Sequence, residues 1–321
     1  MLKNIIISSL TSFSLIAALF VHSASVTPHD KRPLLEDDQI ELMVPKGTNQ
    51  SLCPKNPEYK FEHTLVLIDA TSGLSPLVIA EIKNLFLSES KMRRALPYHR
   101  FTIMRLVDKP PTKNTPIFSM CRPRSGEKDS PYYPDKTTTW MGPSLNDYKA
   151  LFNNFFMKKL NKALIPSNII VPGQLTGSQI FEQIVQLERN ENLDFFSGAG
   201  YEYRKLVIVS DLAQNNDRFN FLDTRTVNER KKTPLCKQRK YRKGGKDKCP
   251  TYEQFKKIEE SRIWIRQYTA DQLGDGLDLH IFYLNSRDPN LDLGLLELWQ
   301  DYFNELGFNG KYNTTIQTDI Q

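Results

Sequence analysis

Two continuous apolar runs, each closed by an aspartate, constrain this chain more than any other feature. They are His63-Thr-Leu-Val-Leu-Ile-Asp69 and Lys205-Leu-Val-Ile-Val-Ser-Asp211. A strand with one wet face alternates apolar and polar residues. A strand buried on both faces does not, and such strands belong to parallel sheets covered by helices. Parallel neighbours need a crossover, usually a helix, so the segments between the runs should carry helical periodicity.

They do. Ser75-Pro76 opens a helix, with serine as N-cap and proline at the first helical position. Leu77, Ile79, Ile82, Leu85 and Phe86 carry its apolar stripe toward Arg94. Residues 100–107 read as a second strand ended by Pro110-Pro111, and 117–121 as a short third. A proline-rich loop spans 122–143. Helices follow at 145–164, with Leu151, Phe155 and Leu160 near one face, and from Thr176-Gly-Ser-Gln179, whose Thr176 and Gln179 have capping-box spacing. Beyond the second apolar run come a helix over 252–272, a strand over 277–284 and a helix over 293–306 buried through Leu295, Leu296, Trp299 and Phe303. Strands alternating with helices predict an α/β fold, a Rossmann-like and mainly parallel sheet with helices on both faces. We assign residues 1–25 to a signal peptide or N-terminal anchor, 26–60 to a polar strap, 61–310 to the domain with a basic insert at 225–249, and 311–321 to a C-terminal tail.

The N-terminus has the order of an export signal. Lys3 precedes an apolar stretch from Ile5 to Val21, small residues follow at Ser23, Ala24 and Ser25, and the chain then turns polar. A retained anchor is the alternative; either places the protein outside the cytoplasm, periplasmic or secreted. Four cysteines, Cys53, Cys121, Cys236 and Cys249, fit an oxidising compartment. Three connectivities are open; pairing the nearest two, Cys236 with Cys249, leaves Cys53 with Cys121. No C-x-x-C occurs and no histidine adjoins either pair, which argues against zinc or thioredoxin-type chemistry.

Both buried runs end in a carboxylate, and ligands of open α/β sheets bind beyond the carboxyl ends of the strands. Asp69-Ala-Thr71-Ser72-Gly73-Leu74-Ser75 resembles the first metal-site loop of von Willebrand factor A domains (the integrin I-domain type), whose pattern is Asp-x-Ser-x-Ser. Val209-Ser210-Asp211 resembles that family's third loop, and Thr176-Gly-Ser178 occupies the place of its second. The resemblance covers residues 62–307, and uncharacterised exported bacterial proteins with the same Asp-Ala-Thr loop are similar. It implies a magnesium site with Asp69 and Thr71 from the first loop, Thr176 or Ser178 from the second and Asp211 from the third. Magnesium takes six oxygens in a near-octahedral shell and keeps several waters; in the family an acidic side chain of a protein partner fills the open position. One departure weakens the motif: Gly73 stands where the second serine belongs. The structural alternative is that both aspartates only satisfy loop amides and helix N-termini.

An enzymatic reading has less support. An aspartate ending the first strand resembles the nucleophile of haloacid dehalogenase-like phosphatases, but Thr71 stands where their second aspartate would be, so a metal-dependent phosphatase or hydrolase is only an alternative. No G-x-S-x-G, H-E-x-x-H or P-loop motif occurs. The second functional candidate is the insert. Between Arg225 and Lys248 eleven basic residues face two acids, a local charge of +9 that leaves −3 on the rest of a chain whose net charge is +6. Arg230, Lys231, Lys232, Lys237, Arg239, Lys240, Arg242 and Lys243 would contact an anionic membrane or envelope polymer; otherwise the insert is a solvated loop. With Tyr241 as its lone aromatic, base stacking is disfavoured, and export argues against nucleic acid as a partner. The leading expectation is a protein-binding adaptor, with membrane contact only through an N-terminal anchor.

Overall fold

The computed structural model describes residues 52–53, 62–69, 74–87, 98–106, 116–125, 145–169, 179–189, 193, 195, 200–201, 203–214, 220–221, 225–227, 230–241, 243–244, 246–258, 277–284, 289–308 and 312–317. Of 225–227, 230–232 and 312–317 it describes the backbone alone. The N-terminal signal or anchor and nearly all of the strap lie outside these residues. No helix among those described is long and apolar enough to cross a membrane.

One sheet organises the domain. Its strands are β1 (Glu62–Asp69), β2 (Arg100–Leu106), β3 (Phe118–Cys121), β4 (Tyr203–Ser210), β7 (Leu277–Leu284) and β8 (Tyr312–Gln317), in the order β3-β2-β1-β4-β7-β8. Every neighbouring pair is parallel except β2–β3. The expected α/β architecture is present. β8 corrects the sequence reading, which leaves 311–321 as a tail: residues 312–317 pair with β7 as the last strand. Lys311-Tyr-Asn-Thr-Thr-Ile-Gln317 lacks the long apolar run by which the central strands were recognised, and an edge strand need not have one.

Alternate side chains build separate cores on the two sheet faces. Val66, Ile68, Ile103, Val207 and Val209 pack on one side with α1 (Pro76–Leu87) and with a long helical segment from residue 145. Leu65, Leu67, Leu206, Ile208, Leu279 and Ile281 pack on the other with α5 (Ile180–Arg189) and α7 (Pro289–Glu305). Each fully buried aliphatic contributes about 1.5–3 kcal/mol relative to exposure, so the doubly covered strands hold the domain together. On α7, Leu295, Trp299 and Phe303 are buried as the periodicity predicts, while Leu296 is partly exposed.

The segment from 145 runs as α2 (Leu145–Ala150), a π-helical stretch (Leu151–Met157) and α3 (Lys158–Ala163), followed by the single turn α4 (Pro166–Ile169). The π stretch rotates the following turn relative to the expected 3.6 periodicity. Phe156, rather than Phe155, therefore fills the core, its ring 5.6 Å from that of Phe118. Phe155 is only partly buried, packed against the edge of this core with Lys159 over its ring. The segment runs antiparallel to β3: Phe118 meets Phe156, Arg122 lies over Phe152, and Arg124 over Tyr148.

Both disulfides form, Cys53–Cys121 and Cys236–Cys249. The first ties the strap to the end of β3. The second closes the basic insert, which also contains a short hairpin of β5 (Arg225–Val227) and β6 (Arg230–Lys232) that the sequence reading missed. Paired disulfides and the lack of free cysteine among the described residues fit an oxidising compartment. The helix expected over 252–272 is described as α6 (Tyr252–Lys256), which opens with a capping box of Thr251 and Gln254; residues 259–276 lie outside the described set.

Candidate functional site

The chain leaves β1 toward β2 on one side and later returns to β4 on the other, so the strand order reverses between β1 and β4. Such switch points open a crevice at the carboxyl edge of the sheet. Ile68 pairs with Val209, so the next residues, Asp69 and Ser210, stand side by side at the mouth. Ser210 Oγ donates to Asp69 Oδ2 at 2.8 Å and accepts from the Leu212 amide at 2.9 Å. Asp69 and Ser210 are fully buried. The side chain beside Asp69 is thus the serine preceding the expected ligand, a position that Val-Ser-Asp offered and the sequence reading passed over.

Asp211 begins the loop beyond β4. Its Oδ1 accepts from the Ala213 amide at 2.9 Å, closing a local turn, and its side chain is half-buried. Leu212 then takes φ +57°, a left-handed conformation that costs a residue with a Cβ about 1–2 kcal/mol. Tertiary contacts hold it there. Its side chain is fully buried, and the Trp299 indole N–H donates to its carbonyl at 2.8 Å. The sequence signal for this strained loop is absent, since leucine is not a turn residue.

Gln214 completes the loop and was also missed. It is fully buried, and its Oε1 accepts from the amides of Ile180 and Phe181 at 2.8 and 3.2 Å. Those are orphan donors of the first turn of α5, so a glutamine 33 residues downstream of Phe181 supplies the cap seen there. Gln214 Nε2 donates to Glu182 Oε2 at 2.9 Å. Thr176, on which the expected capping box rested, lies outside the described residues, and the described helix begins at Ile180. The entry to α1 matches expectation: Ser75 Oγ accepts from the Val78 amide at 3.3 Å.

Of the expected metal ligands, Asp69 and Asp211 flank the switch point, whereas Thr71, Thr176 and Ser178 lie outside the described residues. The described donors are two carboxylates and the Ser210 hydroxyl. An all-oxygen set suits a hard cation such as magnesium, although both carboxylates also have interactions within the protein. The described residues supply fewer than six ligands, and they contain no cluster of three His, Cys, Asp or Glu side chains arranged for a metal.

No family model matches the chain, and no curated protein matches it. Among solved structures it is similar to the open conformation of the pilus adhesin SpaC from Lactobacillus rhamnosus GG, at 10% identity and a TM-score of 0.33. The match covers 80% of this chain and 28% of the adhesin. A likeness at that level transfers nothing.

The carboxyl edge has a second distinguishing property. Three large hydrophobic residues are exposed among those described: Leu77, Ile165 and Leu293. Leu77 lies in the first turn of α1, which leaves the carboxyl end of β1, and Leu293 lies near the start of α7, which follows β7. Ile165 follows α3. Because that helix runs antiparallel to β3, and β3 antiparallel to β2, its C-terminal end emerges at the same edge. The basic insert is fastened there too: the Leu235 and Cys236 amides donate to the carbonyls of Asn220 and Phe221, and the Phe221 amide donates to the Gln214 carbonyl. Lys237, Arg239, Lys240 and Lys243 of the insert are exposed; Arg242 lies outside the described residues, and the side chains of Arg230, Lys231 and Lys232 are not described.

Proposed function

We propose that this chain is an extracytoplasmic binding protein that engages another protein through the carboxyl edge of its sheet, in the manner of a von Willebrand factor A-like domain. The observation that carries this reading is the placement of all three exposed large hydrophobics around the edge where Asp69, Ser210 and Asp211 meet. Exposed leucines are unremarkable singly. Three on separate elements at one edge, around a buried carboxylate, suit a recognition surface. The strand order with one antiparallel edge strand, and the two aspartate-ended strands, support the family likeness.

The reading extends to a divalent cation. Asp69 and Asp211 would hold magnesium, with Thr71 and Thr176 or Ser178 completing the protein ligands. When bound, the cation would offer an open coordination position to an acidic partner group. The chain's own part is to hold the two carboxylates at the switch point: Ser210 fixes the Asp69 carboxylate, and the turn at Ala213 fixes that of Asp211.

The pair Leu77→Glu/Leu293→Glu tests the surface, because both side chains are exposed and the domain should fold without them. Specific partner capture should fall at least tenfold; capture equal to wild type rejects the reading. Calorimetric titration with Mg²⁺ and Mn²⁺ tests the cation separately. Saturable binding lost in Asp211→Ala supports it, and no binding by wild type removes it.

A further inference from the structure

The insert closed by Cys236–Cys249 is built as a projecting cationic loop. Its two cysteine Cα atoms are 3.8 Å apart although 13 positions separate them in sequence, so the intervening chain must travel out and return to its starting point. Its interior is ordered by short-range bonds rather than by the core. One turn spans Leu235–Lys237 and another Arg239–Tyr241. Lys243 and Lys246 then exchange both backbone hydrogen bonds, at 3.1 and 3.2 Å. Gly244 makes that turn at φ +60°, where a side chain would be strained.

The loop's base is fixed on the domain. Cys236 bonds the Phe221 carbonyl, and Cys249 packs on α7, with Cys249 Sγ 3.7 Å from the Leu291 carbonyl. A Cβ at Gly294 would lie 3.0 Å from Cys249 Cβ, so this glycine permits the close approach. What the loop presents is charge. Lys237, Arg239, Lys240, Lys243 and Lys246 are all exposed, and among the described residues no carboxylate pairs with them. Tyr241 is half-buried beneath Lys240, whose Nζ lies 4.8 Å from the ring centroid. Leu293, beside Gly294 at the base, is 62% exposed.

We propose that this loop docks the protein onto an anionic phospholipid surface. A stapled projection carrying unpaired cations loses little conformational entropy on contact, and its charges meet a plane of phosphates together. Stacking recognition of single-stranded bases would call for exposed aromatics, and Tyr241 is half-buried. Leu293 adds an apolar contact at the base that a membrane interface rewards and a soluble polyanion does not. This inference shares Leu293 with the protein-binding reading but does not rest on its carboxylates: the loop can act whether or not Asp69 and Asp211 serve a partner.

The test uses the full chain with its disulfides intact, on vesicles of phosphatidylcholine alone and with about one-third phosphatidylglycerol. The apolar N-terminal run can associate with either composition, so the readout is residue-resolved: acetylation rates of individual lysines. Lys237, Lys240, Lys243 and Lys246 should be protected several-fold on the anionic vesicles only, and protection should vanish in high salt. Lys158 and Lys159, exposed on α3, should react equally on both. Each surface cation contributes about fivefold to binding, so Lys237→Ala/Lys240→Ala/Lys243→Ala should weaken the anionic-lipid increment about 100-fold. The control Lys158→Ala/Lys159→Ala should leave it unchanged, and Leu293→Ser should reduce it a few-fold. Equal loop-lysine reactivity on the two vesicles overturns the proposal. So does equal loss of the increment in both lysine variants, or protection by soluble polyphosphate without protection by vesicles.

Discussion

Removing the Gln214 side chain should destabilise the domain out of proportion to its size. Its Oε1 accepts from two first-turn amides of α5, and its Nε2 donates to Glu182. Ile180 and Phe181 are fully buried, so water cannot replace the lost acceptor without entering the core. Loss of a cap costs about 0.5–2 kcal/mol, and each buried group left unsatisfied costs about 1–3 kcal/mol. Glu182 retains other interactions, which keeps the total for Gln214→Ala at about 2–4 kcal/mol by these magnitudes. For a domain of this size that is a fall in Tm of roughly 4–16 °C, measurable by urea unfolding and thermal melts. Gln214→Glu sharpens the test. It keeps an acceptor at the helix N-terminus but sets a second carboxylate against Glu182. Their repulsion raises the folded-state pKa of the pair, so the penalty is present at neutral pH. It is relieved as pH falls toward and below about 4.3, where one carboxyl protonates and can donate. A Gln214→Ala variant within 0.5 kcal/mol of wild type, or a Gln214→Glu deficit that does not shrink in acid relative to wild type, would refute this account of the loop.

Ser210→Ala removes the hydroxyl that joins Asp69 to the Leu212 amide, and should cost about 1–3 kcal/mol in urea unfolding, whereas Ser210→Thr, which restores a hydroxyl, should recover part of it. Gly294→Val would drive side-chain atoms into the disulfide at Cys249; a loss of about 1–3 kcal/mol is expected from overpacking, detectable as a lowered Tm in oxidised protein. Alkali should unfold the domain near α6 and α7. Burial first, and then nearby carboxylates (Glu305 for Tyr252, Glu182 and Glu305 for Tyr302), push both phenols far above their usual range. Hydrogen bonds to Glu253 and Glu305 raise Lys256. Groups whose folded pKa is raised contribute stability below their unfolded pKa and lose it as pH climbs, so Tm should fall above about pH 10, and less steeply in Tyr302→Phe.

The parts legible in the sequence were those written in local pattern. Doubly buried strands announce themselves as apolar runs, and β1, β4 and β7 appear where those runs are. The Ser75-Pro76 start of α1 and the nearest-cysteine pairing were legible for the same reason. What was not legible depends on distant residues. β8 is an edge strand without an apolar run, so only its partner β7 identifies it. Phe156 takes the fully buried place expected of Phe155, which is only partly buried, because a π-helical stretch shifts the turn, which 3.6 periodicity cannot anticipate. At the site, the two carboxylates were found because strand ends are predictable places. Ser210, Leu212 and Gln214 were missed because a hydroxyl, a left-handed leucine and a distant cap acquire their roles from tertiary contacts.

The central claim is that the carboxyl edge of the sheet is where a partner protein binds. Photo-crosslinking in cells tests it most directly, with a benzophenone amino acid placed singly at Leu77, Ile165 or Leu293, and at Asn146, which is exposed at the start of α2 by the opposite edge. The account predicts one discrete adduct of common mass from the three edge positions, lost in Asp211→Ala, and none from Asn146. Adducts from Asn146 alone, or none from any edge position while a partner is still captured, would contradict it.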